Sequence, residues 1–295
     1  MKGAIVYNGF WNREGPSDPV QRLQKAAAKR GIPLAALPNT ALTAMFGPDG
    51  PAVLGLPEAD FVLFWDKDVR LARTMEACGV RVYNAAEAVA VCDDKAATHL
   101  ALAGGGIPMP RTLVAPMTYL QMDQPGEGFL ALAEERLGFP LVVKECYGSL
   151  GGQVYLARNG TELRGLAERM AARPFIAQEF VASSAGRDIR LYMAGGRLIA
   201  AMRRYSDTDF RANIGGGGRA EAYTPTAEEI HLAARCCSLL KLDFGGVDLL
   251  HGEDGRPLVC EMNSNAHMAA LTACSGVDVA GAILEHVLGR EAERG

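Results

Sequence analysis

"GVDLLHGEDGRPLVCEMNSN", residues 246–265, sets two short apolar runs on either side of Asp254-Gly255. An Asp-Gly pair between β-rich runs signals a two-residue hairpin turn, because both central positions take positive φ at little steric cost. With Asp254 and Gly255 at the centre, Glu253 faces Arg256, and counting outward sets Asp248 opposite Glu261 and Gly246 opposite Asn263. Alternation then puts Asp248, Val259, Glu261 and Asn263 on one face, and Val247, Leu249, Leu258, Cys260 and Met262 on the other. Directly opposed residues have Cβ atoms about 4.5–5.5 Å apart, and like charges so placed repel. Two carboxylates there require a cation, and with an amide oxygen they form a hard set suited to magnesium held jointly with phosphates. The same residues also read as a surface hairpin whose acids point into water, and a bulge would shift the register.

Upstream, "DIRLYMAGG" and "RLIAAMRRY" read as strands that follow one another directly, with helices near 225–241 and 277–288. This half is therefore α+β with antiparallel pairing. Asp188 and Arg190 share one strand face and are candidates for an ion pair with each other. The middle carries strands "PLVVKE", "QVYLA" and "FIAQEFV", and a helix from Thr161, as threonine cap, to about Arg173 before Pro174. The first third alternates strands ("AIVYN", "IPLAAL", "ADFVLFW", "VRVYN") with helical stretches that end on glycine, which predicts a small sheet with crossover helices. One alanine-rich helix over 85–106 closes it, before the prolines of "IPMPRTL" mark an extended link.

In "VKECYGSLGGQV", residues 143–154, Lys144 shares a face with Val142. The loop behind it offers Gly148, Ser149, Gly151 and Gly152 as backbone able to bring N–H groups close to phosphate oxygens. The lysine precedes the glycines, so this is not a Walker loop, and a plain hairpin turn fits these residues too. Lys95 on its helix reads equally as a solvated lysine, and "RRYSDTDFRANIGGGG" as a cation-bearing loop.

With 49% hydrophobic and 22% charged residues, 295 residues are ordinary for a globular protein. A net charge of -4 and a pI near 5.8 supply no field for nucleic acid. Seven cysteines without CxxC spacing fit reduced thiols and a cytoplasmic protein. The apolar run at the N-terminus is too short for a signal peptide, and no eighteen consecutive apolar residues predict a membrane span.

Together, "QEF", "GRDIR", "DFRAN", "GGVDLL" and "EMNSN" resemble the ATP-grasp carboxylate–amine ligases, in the branch typified by RimK, the ribosomal-protein glutamate ligase, over about residues 90–290. The resemblance implies an α/β chain with an α+β C-terminal half: a pre-ATP-grasp domain over 1–92, a central subdomain with a glycine-rich lid over 93–182, and a metal-bearing subdomain over 183–295. It implies that Lys95 and Lys144 contact ATP phosphates beside the lid residues Ser149 and Gly151. Glu179 and Phe180 would meet the adenine, Asp188 would contact the nucleotide, and Arg211 and Asn213 would lie beside the phosphates. Asp248, Glu261 and Asn263 would hold magnesium, or manganese, and Arg190 would face an acyl phosphate, with Lys144, Arg190 and Arg211 as the catalytic cations.

The implied reaction is ATP-dependent amide formation between a small-molecule or peptide carboxylate and an amino acid or other amine, an α-L-glutamate ligase being one form of it. A non-catalytic nucleotide-binding relative and an ATP-grasp phosphotransferase are the alternatives. The chain departs from the branch at Ser264, Asn265, Ala266 and His267, which places glutamate in doubt as the amine, and His267 reads as a substrate contact or general base, or as an ordinary packed or surface histidine. "NIGGGG" replaces a segment that tends to carry a basic residue. Asp66, Lys67 and Asp68 end an N-terminal strand where open α/β sheets bind ligands; they either read the acceptor or form a solvated charge cluster. Surfaces of the N-terminal sheet would allow a homo-oligomer.

Overall fold

The computed structural model describes residues 1–11, 14–117, 126–149, 151–170, 172–214 and 217–293, so Gly215 and Gly216 of the glycine run lie outside it. The chain opens with β1 (Gly3–Tyr7), α1 (Asp18–Ala28), β2 (Leu34–Pro38), β3 (Thr43–Gly47), β4 (Gly50–Leu54), β5 (Phe61–Trp65), α2 (Val69–Ala77), β6 (Val82–Tyr83), α3 (Ala86–Asp93) and α4 (Lys95–Gly104). β2-β1-β5-β6 form a parallel sheet, the arrangement that alternating strands and crossover helices predict. β1 and β5 are buried throughout, hence their unbroken apolar sequences. Ile5 and Leu63 pack with α1, whereas Val6 and Phe64 pack with α2 and α3. The hairpin β3–β4 is a feature the sequence reading missed.

The expected single helix over 85–106 is two. Asp94 is extended (φ -96, ψ 108), and its carboxylate accepts from the N–H groups of Ala96 and Ala97, so it ends α3 and caps α4. Aspartate competes with helix interiors by making this local bond. The break puts Lys95 in the first turn of α4, where the helix end favours anions.

The middle contains β7 (Thr112–Val114), α5 (Glu127–Leu137), β8 (Leu141–Glu145), β9 (Val154–Ala157), α6 (Gly160–Met170) and β10 (Phe175–Glu179). Its sheet runs β7-β10-β8-β9, antiparallel throughout, over α5 and α6. α6 is capped not by Thr161 but by Asn159, whose side chain accepts from the Glu162 N–H at 3.0 Å.

The last section holds β11 (Arg187–Ala194), β12 (Arg197–Tyr205), β13 (Arg219–Ala222), α7 (Ala227–Leu239), β14 (Phe244–His251), β15 (Pro257–Asn263), α8 (Ala269–Ser275) and α9 (Val279–Ala292). β13-β12-β11-β14-β15 form an antiparallel sheet, as the direct succession of strands predicts. Along β11, Ile189, Leu191 and Met193 pack against α7. The opposite face changes character along its length: Tyr192 and Ala194 join the core formed with α8 and α9, while Asp188 and Arg190 turn into a cleft. Among the described residues no single helix is long and apolar enough to cross a membrane.

The β14–β15 pairing sets Asp248 opposite Glu261 and Gly246 opposite Asn263, as counted from the turn, yet by another route. The turn spans three residues, with Gly252 N–H donating to the Arg256 carbonyl and Gly255 at φ 77. This shifts the pairing by one, and Leu249 faces Val259. A bulge at Cys260 then restores the count. Consequently the face assignments of three residues are corrected: Val259 packs in the core with Leu249, whereas Leu258, paired with the cleft-lining Leu250, and Cys260, beside Glu261, lie on the cleft side of the sheet.

Candidate active site

Two compartments adjoin between the central and C-terminal sheets. The first is lined by Lys144 from β8, Ser149 and Gly151 from the following loop, Glu179 and Phe180 at the end of β10, Asp188, Arg204, Arg211, Asn213 and Asp248. The second is lined by Lys67, Arg190, Asn263, Asn265, Ala266 and His267 among others. Lys95, Ser149, Arg204, Asn213 and Glu261 border both. The predicted site residues are thus brought to one place. Of the Asp66-Lys67-Asp68 group, only Lys67 lines a compartment.

One wall is a closed set of charges. Arg190 grips Asp248 with Nε and a terminal nitrogen, both at 2.6 Å, and Arg204 grips Asp188 at 2.6 and 2.7 Å while reaching Asp248 at 2.9 Å. Asp188 and Arg190, candidates for pairing with each other, are each held by another strand's residue. Burial alone would push the Asp248 carboxyl up, but Arg190 and Arg204 outweigh it and bring it down to about 2. Burial and the charge of Asp248 raise Asp188, with Arg204 opposing. Burial opposes the Arg204 charge, yet the two aspartates raise its pKa. Arg204 escaped the sequence reading because "MRRY" offers two adjacent arginines, and only the strand's orientation decides between them. Arg203 points out over the Tyr223 ring, while Arg204 points in and is 5% exposed.

The other wall carries Lys144, 7% exposed, whose ammonium has Cys260 Sγ at 3.6 Å and no carboxylate partner among the described residues. Behind it the loop is tethered: Tyr147 Oη donates to Asp94 at 3.0 Å, and Lys67 Nζ donates to Asp93 and, at 3.1 Å, to Ser149 Oγ. Arg211 is paired with Asp209 and donates to the Gly151 carbonyl at 2.7 Å. Gly151 sits at φ 72, a conformation that favours glycine, and a Cβ there would displace the Asn213 amide. Phe180 packs edge-on against Phe210, 6.3 Å between centroids, and leaves an apolar slot with Val142 and Leu250. Glu179 is paired with Arg111. Burial lowers the His267 pKa, with the Arg190 charge adding to it.

Asp248, Glu261 and Asn263 converge as the register requires. Glu261 lies 3.5 Å from Lys95, and the Asn263 amide donates to Asp248 at 3.4 Å. Two carboxylates and an amide oxygen fit a hard divalent cation. Both Asp248 oxygens already accept guanidinium hydrogens, Oδ1 from Arg190 alone, so an ion there would share the carboxylate with Arg190 and Arg204.

Residues 92–287 match the RimK-like ATP-grasp domain. The chain is 35% identical over 227 residues to beta-citrylglutamate synthase B of Danio rerio, covering 76% of this chain and 54% of that protein. It is 36% identical over 219 residues to a probable alpha-L-glutamate ligase of Xanthomonas campestris, covering 73% and 72% respectively. The chain thus spans about half the length of the zebrafish relative. A RimK domain ATP-grasp protein of Sphaerobacter thermophilus superposes with a TM-score of 0.76 at 24% identity, over 98% of this chain and all of that one. The central and C-terminal sheets, the lysine before a glycine-rich loop and the acid pair of the hairpin all fall inside the matched stretch, and the chain belongs to the RimK-like ATP-grasp family.

Proposed function

We propose that this chain is an ATP-dependent ligase that joins a carboxylate to an amine through an acyl phosphate. The observation that carries the reading is the meeting of the two walls: a buried ammonium beside a glycine-rich loop faces paired carboxylates at the border of two compartments. In this reading the first compartment takes ATP, its adenine in the slot of Val142, Phe180 and Leu250 and its phosphates toward Lys144 and Lys95. Helix α4 adds its N-terminus to the same field. Arg190, on the wall of the second compartment, orients the substrate carboxylate toward the γ-phosphate. Arg211 holds the loop carbonyl of Gly151, which keeps the cover down while an acyl phosphate exists and water is shut out. Magnesium on Glu261, Asn263 and Asp248, or manganese on the same oxygens, supplies charge neutralisation for the phosphates. The amine then displaces phosphate from the acyl carbon. Free thiols at all seven cysteines accord with a place in the cytoplasm.

The test is turnover by the full chain with ATP, magnesium and mixtures of carboxylates and amines. ADP and inorganic phosphate should appear together and depend on both substrates, and Glu261→Gln should abolish them. ADP without phosphate would make the chain a phosphotransferase, and no turnover with any mixture would leave a nucleotide-binding protein.

A further inference from the structure

The lining of the second compartment changes along its length. The residues it shares with the first, Lys95, Gly148, Ser149, Arg204, Asn213 and Glu261, are polar or glycine. Past Arg190 the lining turns apolar: Met202, Ile214, Ala266, Ala269 and Ala270 border the second compartment and do not reach the first. Met202 lies beside Arg190 in the β11–β12 register. Ala266 flanks the same arginine from the β14 side, since a Cβ built on Gly246 would lie 2.8 Å from Ala266 Cβ and 3.4 Å from Arg190 Nε. Ala269 and Ala270 open α8, which packs over β12 and β13. Both are half-buried and Ile214 is 37% exposed, so this apolar end is reached from solvent.

The charges of the compartment are already answered. Lys67 is paired with Asp93, Lys95 with Glu261, Arg190 with Asp248, and Arg204 with Asp188 and Asp248. No further lysine or arginine lines it among the described residues, and burial together with the charge of Arg190 holds His267 toward its neutral form. Arg190 grips Asp248 with Nε and one terminal nitrogen; its other terminal nitrogen has no hydrogen-bond partner among the described residues and can take one substrate carboxylate. A second carboxylate at the apolar end would meet methyl and thioether groups and lose its hydration without a counter-charge. An aliphatic chain gains there by leaving water.

We propose that the carboxylate substrate is a monocarboxylate with an uncharged aliphatic body, its carboxylate on Arg190 and its chain against Met202, Ala266, Ala269 and Ala270. The proposal rests on the ligase reading above and names its substrate class. The alanines of α8 leave the chain room, and Met202 gives it an adaptable floor. A dicarboxylate would bring its second anion to an end of the compartment that holds no cation among the described residues.

The test is binding to the full chain loaded with magnesium and a nonhydrolysable ATP analogue, followed by ligand-observed NMR with pentanoate, glutarate and 5-aminopentanoate as probes. The three share a carboxylate and a chain length and differ only at the far end. Pentanoate should bind about tenfold or more tightly than either probe with a charged far end. Ala269→Lys and Ala270→Lys each set a cation at the apolar end and should reverse the order of pentanoate and glutarate, with affinity for the ATP analogue read alongside as the check on folding. Glutarate or 5-aminopentanoate binding as tightly as pentanoate, no binding of pentanoate, or an order that survives both substitutions overturns the proposal. Failure of the ligase reading shows separately, as pentanoate binding without release of ADP and phosphate when ATP and a mixture of amines replace the analogue.

Discussion

The two walls of the first compartment hold similar charges in opposite states. On the β11–β14 side, Asp188, Arg190, Arg204 and Asp248 satisfy one another through fork-shaped contacts, and Asp248 is 3% exposed. On the β8–β9 side, Lys144 is buried almost as deeply without an opposing carboxylate among the described residues. The first arrangement is complete before any ligand arrives, so its charges define shape and field. The second stores an unmet attraction, because a buried cation without a partner bears its desolvation uncompensated. One wall is a frame and the other is a receptor.

The strongest way to break the contrast is to remove one member of the frame. Arg204→Met leaves Asp188 and Asp248 short of a counter-charge and should cost about 3–5 kcal/mol in urea unfolding; a loss under about 1 kcal/mol would mean that the quartet contributes little to folding. The pH dependence sharpens the same point. The Asp248 carboxyl is depressed to about 2, so its contribution is present above its unfolded value of about 3.9 and is lost as pH falls toward the folded value. The stability gap between the parent chain and Arg204→Met should therefore narrow between about pH 4 and pH 2.

Lys144→Met tests the opposite wall. Unfolding stability should hold or rise, because an uncompensated charge leaves the interior, while affinity for ADP falls by about 10- to 100-fold for loss of a charged hydrogen bond. Calorimetric titration with ADP and magnesium reads the second quantity, and a large stability loss with unchanged affinity would reverse the roles given to the two walls. The smallest effect belongs to Gly151→Ala. A side chain at φ 72 costs about 1 kcal/mol and meets Asn213, so the KM for ATP should rise several-fold while unfolding stability falls by only about 1 kcal/mol.

The sequence made the frame only partly readable. Asp248 opposite Glu261 followed from an Asp-Gly turn, but the agreement hid two displacements of one residue, in the turn and at Cys260, that cancel at Asp248. Alternation rules hold only between irregularities, which is why Leu258, Val259 and Cys260 were given the wrong faces. Lys144, at the end of an apolar strand before glycines, was legible because strand and loop differ sharply in composition. The Asp94 break was written in "CDDKA" as a capping aspartate, yet alanine on both sides masked it. Pairing across distant strands was beyond local pattern: Arg204 is marked out by the aspartates of β11 and β14, and no spacing along the chain connects them.

The irregularity at Cys260 has a practical side. Strand alignment beyond it is held by the Gly246–Asn263, Val247–Met262 and Asp248–Glu261 pairs, and the exposed tip at 253–255 bears on the oxygen set through its length alone. A dye or an affinity handle grafted at that tip would leave the pairing of the oxygen set undisturbed, and even deleting Cys260, which has no partner across the strands, would leave Asp248 opposite Glu261 and Leu249 opposite Val259.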